Sequence, residues 1–312
     1  MMPIIQGWTD EHRHEYGRKI QTVKHGLADS GLFSDEALAD LLDRHPVEKI
    51  DVCANLDDPN YPNKHGTVDF RGFSGAALID AVKNGRIWIN VREAMTYDAV
   101  YQPLMRDTFK DLERCTGKDR LRRNCRGGIL ISSPAAKVPY HCDPTTTLLW
   151  HIRGKKRVYV YPATQDYLPD EAYEAIVLGE QDQDLPYYSH FENGASIYDL
   201  PEGTLVTWPH TSPHRVENQS YCISMVMEFS SKVSAYRNSV MYTNGLLRRH
   251  LGLTPNWESS GPAERFVKSI AGHALRRLGA HKVHIREDNV MFKLDKSAKD
   301  YLRPIAAVQR NF

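Results

Sequence analysis

The chain lacks several features that would place it outside ordinary globular enzymes. No run of about 18 apolar residues occurs in its 312 positions, so no membrane span is expected. Neither charge dominates: 40 Lys+Arg against 39 Asp+Glu give a formal net charge of +1, without the broad basic excess of a protein that tracks phosphates. No nucleic-acid partner is therefore expected. The five cysteines (Cys53, Cys115, Cys125, Cys142 and Cys222) are odd in number, scattered, and form no CxxC pair. This argues against a disulfide framework or a thiolate zinc site and points to a reducing, cytoplasmic setting. The opening residues turn charged at once, with no apolar signal-peptide core. Repeats and low-complexity tracts are absent. What remains is a hydrophobic class of 41% and a charged class of 25%, enough for a large core in one or two domains.

Three regions differ in texture. Residues 1–127 read mainly as helices and loops. Ser34 and Ser74 each stand as an N-cap with an aromatic residue before and a leucine four after, the pattern of a hydrophobic staple. Between them DDPNYPNKHG (57–66) reads as a turn-rich loop, and 87–91 (IWINV) as a short strand. Residues 128–231 are rich in short β-prone runs, which suggests a small barrel or jelly roll. Within them 145–152 and 156–161 flank Arg153-Gly154 and read as a hairpin. Residues 232–312 return to helix. The clearest helix, 263–278, carries Phe266, Val267, Ile270, Ala271, Ala274 and Leu278 as an apolar stripe expected to face the core. The whole is expected to be α+β with a mainly β core, integrated as one domain: a double-stranded β-helix flanked by N- and C-terminal helices.

The chemistry concentrates in Pro139-Tyr140-His141-Cys142-Asp143-Pro144. Residues i and i+2 of a strand share a side, so His141 and Asp143 can aim an imidazole and a carboxylate at one point. A second histidine from another strand would complete a 2-His-1-carboxylate face for Fe(II). Alone, an HxD pair is a weak signal that reads more simply as a surface or hydrogen-bonded pair. Two further features give it context. Lys156 lies 15 residues after His141 on a β-prone run, where a cation pointing into an apolar barrel needs an anion. Later, EGTLVTWPHTSPHRVEN (202–218) offers two histidines. His214 stands directly before a strand-like run and is favoured; His210, between Pro209 and Pro213, is the alternative.

PYHCD, LLWHIRGKKRVYVYPA and EGTLVTWPHTSPHRVEN together resemble the cupin-like JmjC group of Fe(II)/2-oxoglutarate oxygenases. That group includes the asparaginyl hydroxylase acting on the hypoxia factor. The resemblance covers about residues 128–231, and GLFSDEALADLLDRHP and GRIWINV also look like bacterial members. It implies a metal held by His141, Asp143 and His214, and 2-oxoglutarate held by Lys156 at its far carboxylate and by Thr147. It also implies use of O2, with release of succinate and CO2. A threonine common three residues before the first ligand is Val138 here, so the cosubstrate pocket is not a copy. The expected reaction is hydroxylation, or demethylation through hydroxylation, of a small molecule or peptide. A homodimer is compatible with the resemblance.

Two other readings keep the barrel: a metal-dependent isomerase or hydrolase, and a non-catalytic ligand-binding module. Lys156 separates the first, since only a 2-oxoglutarate enzyme needs a cation there, and the intact ligand set argues against the second. Glu217 and Asn218 are candidates to support His214 from behind, and Glu228 to face the cavity. His190 could line the entrance but reads more simply as solvated. Cys142, between two ligands, should point away from them.

Overall fold

The computed structural model describes residues 3–56, 65–117, 123–134, 136–281 and 289–312. Most of the DDPNYPNKHG loop lies outside the described residues. The first third supplies β1 (Ile5–Gln6), β2 (Gln21–His25), β3 (Ile50–Asn55), β4 (His65–Asp69) and β5 (Ile87–Val91). It also supplies helices α1 (Asp10–Glu15), α2 (Asp35–Arg44), α3 (Gly75–Asn84), α4 (Ala94–Tyr97) and α5 (Gln102–Thr116). Ser34 and Ser74 cap α2 and α3 through their hydroxyls, as their positions imply.

The central strands are β6 (Arg123–Ser132), β7 (Lys137–His141), β8 (Thr146–Arg153), β9 (Lys156–Val160), β10 (Ser196–Leu200), β11 (Thr204–Thr207), β12 (His214–Asn218) and β13 (Cys222–Ser230). They divide between two sheets, alternating except that β9 and β10 are neighbours in one of them. One has the order β6-β13-β8-β11, the other β7-β12-β9-β10. This is the eight-stranded jelly roll, or double-stranded β-helix, expected from the sequence. Helix α6 (Asp170–Leu178) lies in the β9–β10 connection; α7 (Lys232–Leu251), α8 (Pro262–Arg277), β14 (Asn289–Leu294) and β15 (Leu302–Gln309) follow the barrel.

Three sequence expectations change. The predicted 145–161 hairpin is not one: β8 pairs with β11 and β13, whereas β9 pairs with β10 and β12, in the other sheet. Gly154 makes the corner, with φ +97° and Tyr221 O only 2.3 Å from where a Cβ would stand. A β-prone run on each side of a glycine looks the same whether the chain folds back or crosses to the opposite sheet. The flanking regions are also less helical than read. The larger sheet extends beyond the barrel through β5, β3, β4, β14 and β15, and β2 and β1 extend its other edge. Finally, α8 turns its apolar stripe outward: Phe266, Val267 and Ile270 are exposed. Lys268, Ser269 and Gly272 are the buried side instead. A Cβ on Gly272 would lie 2.0 Å from Ser239 O, so closeness of α7 and α8, not apolarity, decides which face is covered.

The main core lies on the outer face of the large sheet. Leu148, Trp150, Met225, Met227 and Phe229 meet Leu38, Leu41 and Leu42 of α2, Leu78 and Val82 of α3, and Phe109 and Leu112 of α5. An aromatic cluster including Tyr140, Tyr159, Tyr161, Tyr173 and Phe191 covers the outside of the small sheet. Leu149, Val158, Val160, Val206, Trp208 and Val216 fill the space between the sheets. These assignments place Trp150, Trp208, Tyr140, Tyr159 and Tyr161 in packing roles. Among the described residues, no helix is long and apolar enough to cross a membrane.

Candidate metal and cosubstrate site

The small sheet brings its two histidines together at one end of the barrel. β7 ends at His141 and β12 begins at His214, and the two are direct antiparallel partners. Their rings lie 4.0 Å apart between centroids. Asp143 follows in the turn before β8, with Oδ1 3.9 Å from His141 Nε2 and Oδ2 3.6 Å from His214 Nε2. One ligand atom from each of the three lies within 4.8 Å of the others.

Backbone carbonyls set the tautomers. His141 Nδ1 lies 2.7 Å from Pro139 O, and His214 Nδ1 3.2 Å from Ser212 O. A carbonyl only accepts, so each Nδ1 carries the proton and each Nε2 lone pair is left for a ligand. Burial first, and then the neighbouring His141, push His214 down to about 3, so it is a neutral imidazole at ordinary pH. Two imidazoles and a carboxyl group on one face match the donor set of a non-heme Fe(II) centre with open positions.

The loop carrying Asp143 is braced from two sides. Pro144 O accepts from His210 Nε2 at 3.2 Å and from Asn238 Nδ2 of α7 at 2.7 Å. His210 is thus turned onto the loop backbone and stands outside the three-residue cluster. On the other edge Cys142 N donates to Gln183 O, and Leu185 N to Tyr140 O, so residues 183–185 run beside β7 like a further strand. Cys142 points away from the cluster, with Sγ 3.4 Å from Thr211 O.

Lys156 and Thr147 face the same interior. On β12, His214, Val216 and Asn218 are the buried alternation, and their partners on β9 are Val160, Val158 and Lys156. Four residues, roughly 13 Å of strand, separate the His214 rung from the Lys156 rung. Lys156 is 3% exposed and donates to Asn218 Oδ1 at 2.6 Å. No carboxylate pairs with it among the described residues, and burial pulls its ammonium down to about 8. Lys155, one position away, is exposed. Thr147, on the opposing sheet, has a buried Oγ1 with no hydrogen-bond partner among the described residues. Its partner on β13 is Glu228, whose carboxyl is pushed up to about 7 by burial and then by the charge of Asp143.

Asn218 therefore serves Lys156 and not His214, and Glu217 faces outward to Tyr159 and Arg215. The alternation of β12 separates these two residues, and their places among its partners assign both roles. His190 is exposed and stacked on Tyr188.

A cleft of about 600 Å³ opens beside His141, lined among others by Asp51, His65, Trp88, Asn90, Arg92 and Asp184. A smaller pocket of about 230 Å³ shares Asn90, Arg92 and Gln183 with it and reaches Arg126 and Glu228. Sequence reasoning recognised the 87–91 strand but missed this lining. The signal was present: Ile87, Ile89 and Val91 alternate with Trp88, Asn90 and Arg92, so the polar Asn90 and Arg92 must face away from the apolar side of the strand. Gln183 and Asp184 had no such signal, because a loop laid along a sheet edge has no period.

No family model and no curated protein matches the chain. Among solved structures it is similar to the ribosomal oxygenase YcfD of Escherichia coli. The complex of that protein with cobalt and 2-oxoglutarate aligns at 15% identity and a TM-score of 0.47, over 88% of this chain and 66% of that one. The complex with cobalt and succinic acid aligns at 14% and 0.47 over the same shares, and a further crystal structure at 15% and 0.48. The chain thus spans just under two thirds of the length of the first of these. At such values the likeness adds nothing to the fold beyond what the strand order shows.

Proposed function

We propose that the chain is an Fe(II)- and 2-oxoglutarate-dependent dioxygenase that hydroxylates, or demethylates by hydroxylation, a small-molecule or peptide substrate in a cytoplasmic setting. The observation that carries the reading is the single interior face holding His141, Asp143 and His214 at one end and a buried cation, Lys156, at the other. The buried Thr147 Oγ1, without a partner among the described residues, fits the same guest. When bound, metal and cosubstrate would supply the oxidative chemistry: 2-oxoglutarate and O2 give succinate and CO2 while a substrate C–H becomes C–OH.

The chain's own contribution follows from its geometry. His141 and His214 would offer Nε2 and Asp143 a carboxylate oxygen, each already oriented by strand or loop. His210 and Asn238 hold Pro144 O and so fix the loop carrying Asp143. Lys156 would meet the far carboxylate and Thr147 would donate its hydroxyl to the cosubstrate. The apolar residues between the sheets exclude water from the slot. The open cleft leaves room for substrate beside His141.

The test is succinate release from 2-oxoglutarate by the anaerobically Fe(II)-loaded chain across metabolite and peptide pools, with metal binding measured in parallel. Substrate-stimulated succinate that disappears in His214→Ala supports the reading. Wild-type-like metal binding in both His141→Ala and His214→Ala overturns it.

A further inference from the structure

Asn218 occupies an unusual position for an uncharged residue. It is 2% exposed and directly opposite Lys156, which is 3% exposed. Its Nδ2 donates to Ala136 O at 2.8 Å, and its backbone N donates to the same oxygen at 3.0 Å. Because a carbonyl can only accept, this anchor fixes which way the amide is turned, and Oδ1 must be the atom facing Lys156. A buried ammonium is most stable against a carboxylate, and Asp is the near-isostere of Asn. The chain has placed there the one residue of that shape that holds the cation without neutralising it.

We infer that Asn218 is a positioning residue for the cosubstrate: it orients the Lys156 ammonium from one side and leaves its charge free for an incoming carboxylate. The inference rests on the cosubstrate reading above. In this arrangement the neutral partner decides that the slot takes a 2-oxo acid with a distal carboxylate. An aspartate at 218 would close the slot with an internal ion pair, while the fold and the metal ligands stayed in place. Loss of the amide altogether would leave Lys156 free to swing and would weaken the grip less.

The experiment is 2-oxoglutarate binding by calorimetry to the full chain loaded with Mn(II) in place of Fe(II), for wild type, Asn218→Asp, Asn218→Ala and Lys156→Ala. A 2-oxo acid without the distal carboxylate is the second probe. Asn218→Asp should lose roughly 100-fold in 2-oxoglutarate affinity, about what removing one side of a buried charge pair costs. It should keep wild-type metal affinity and bind the shorter monocarboxylate as wild type does. Asn218→Ala should lose roughly tenfold. A merely structural Asn218 would weaken both probes together, and that result overturns the inference. So does 2-oxoglutarate binding by Asn218→Asp within about threefold of wild type while Lys156→Ala has lost it. If Lys156→Ala itself binds normally, it is the cosubstrate assignment of Lys156 that falls.

Discussion

On β5, Ile87, Ile89 and Val91 enter the helix-covered core, whereas Trp88, Asn90 and Arg92 line the cleft. On β13, Ile223, Met225, Met227 and Phe229 belong to that core, and Ser224, Val226 and Glu228 alternate with them. The same strands thus present two surfaces with opposite requirements. The outer face needs only apolar volume of about the right shape, and its stabilisation grows with area removed from water. The inner face carries groups that cost stability to bury: Lys156, Thr147, His214 and Glu228. What it gains is orientation of charge and lone pairs toward a common space. Substitutions on the two faces should therefore separate function from stability.

The largest separation is expected at His214. His214→Ala should abolish metal binding and turnover while the melting temperature of the metal-free chain stays level or rises, because a buried neutral imidazole is removed. His210→Ala should retain metal binding with reduced affinity, since His210 holds Pro144 O. Equal and complete loss in both would erase the distinction between ligand and brace. Next is Lys156→Ala, expected to weaken 2-oxoglutarate by roughly two to three decades without loss of metal. Lys155→Ala, outside the barrel, should change little; a harmful Lys155 and a silent Lys156 would invert the assigned faces.

On the outer face, Phe229 is 1% exposed, and its ring meets Phe109 edge-on at 5.4 Å. Phe229→Ala should cost about 3–5 kcal/mol in denaturant unfolding while surviving folded protein still binds metal. Loss of metal affinity in proportion to stability would show the two faces to be coupled.

A smaller effect tests the polar exception on that face. His25 accepts from Leu27 N at Nδ1 and donates from Nε2 to His151 O. Burial pushes it down to about 4. Its folded value lies below the ordinary 6.5, so the unfolded chain takes the proton first as pH falls, and stability is lost between 6.5 and 4. Wild type should lose about 2–3 kcal/mol more over that window than His25→Gln. Parallel curves would mean that His25 protonates without strain. The smallest effect is expected at Ile270→Glu on the exposed stripe of α8, within about 0.5 kcal/mol of wild type.

The helix caps at Ser34 and Ser74 and the strand positions of the barrel could be read directly, because each depends on neighbours within a few residues; Asp143 meets His141 from the turn after β7, not from the strand itself. The place of His214 directly before a strand was legible in the same way, and His214 is the histidine that lies beside His141 and Asp143. The α8 stripe could not be read correctly: its period is right for a helix, but a period does not say which neighbour will come closest. The hairpin failed for a related reason, since β propensity is blind to which sheet a strand joins.

By itself the sequence determined the spacing of the donors and the identity of the buried cation. Both are fixed by covalent order and by the alternation of a strand. Only the tertiary structure decided that Lys156 shares a rung with Asn218, that His210 holds Pro144, and that 183–185 edges β7. Those pairings join residues 41 to 66 positions apart, or lie across two strands at once. Local propensity carries no record of such distances; they are set when two sheets close on one core.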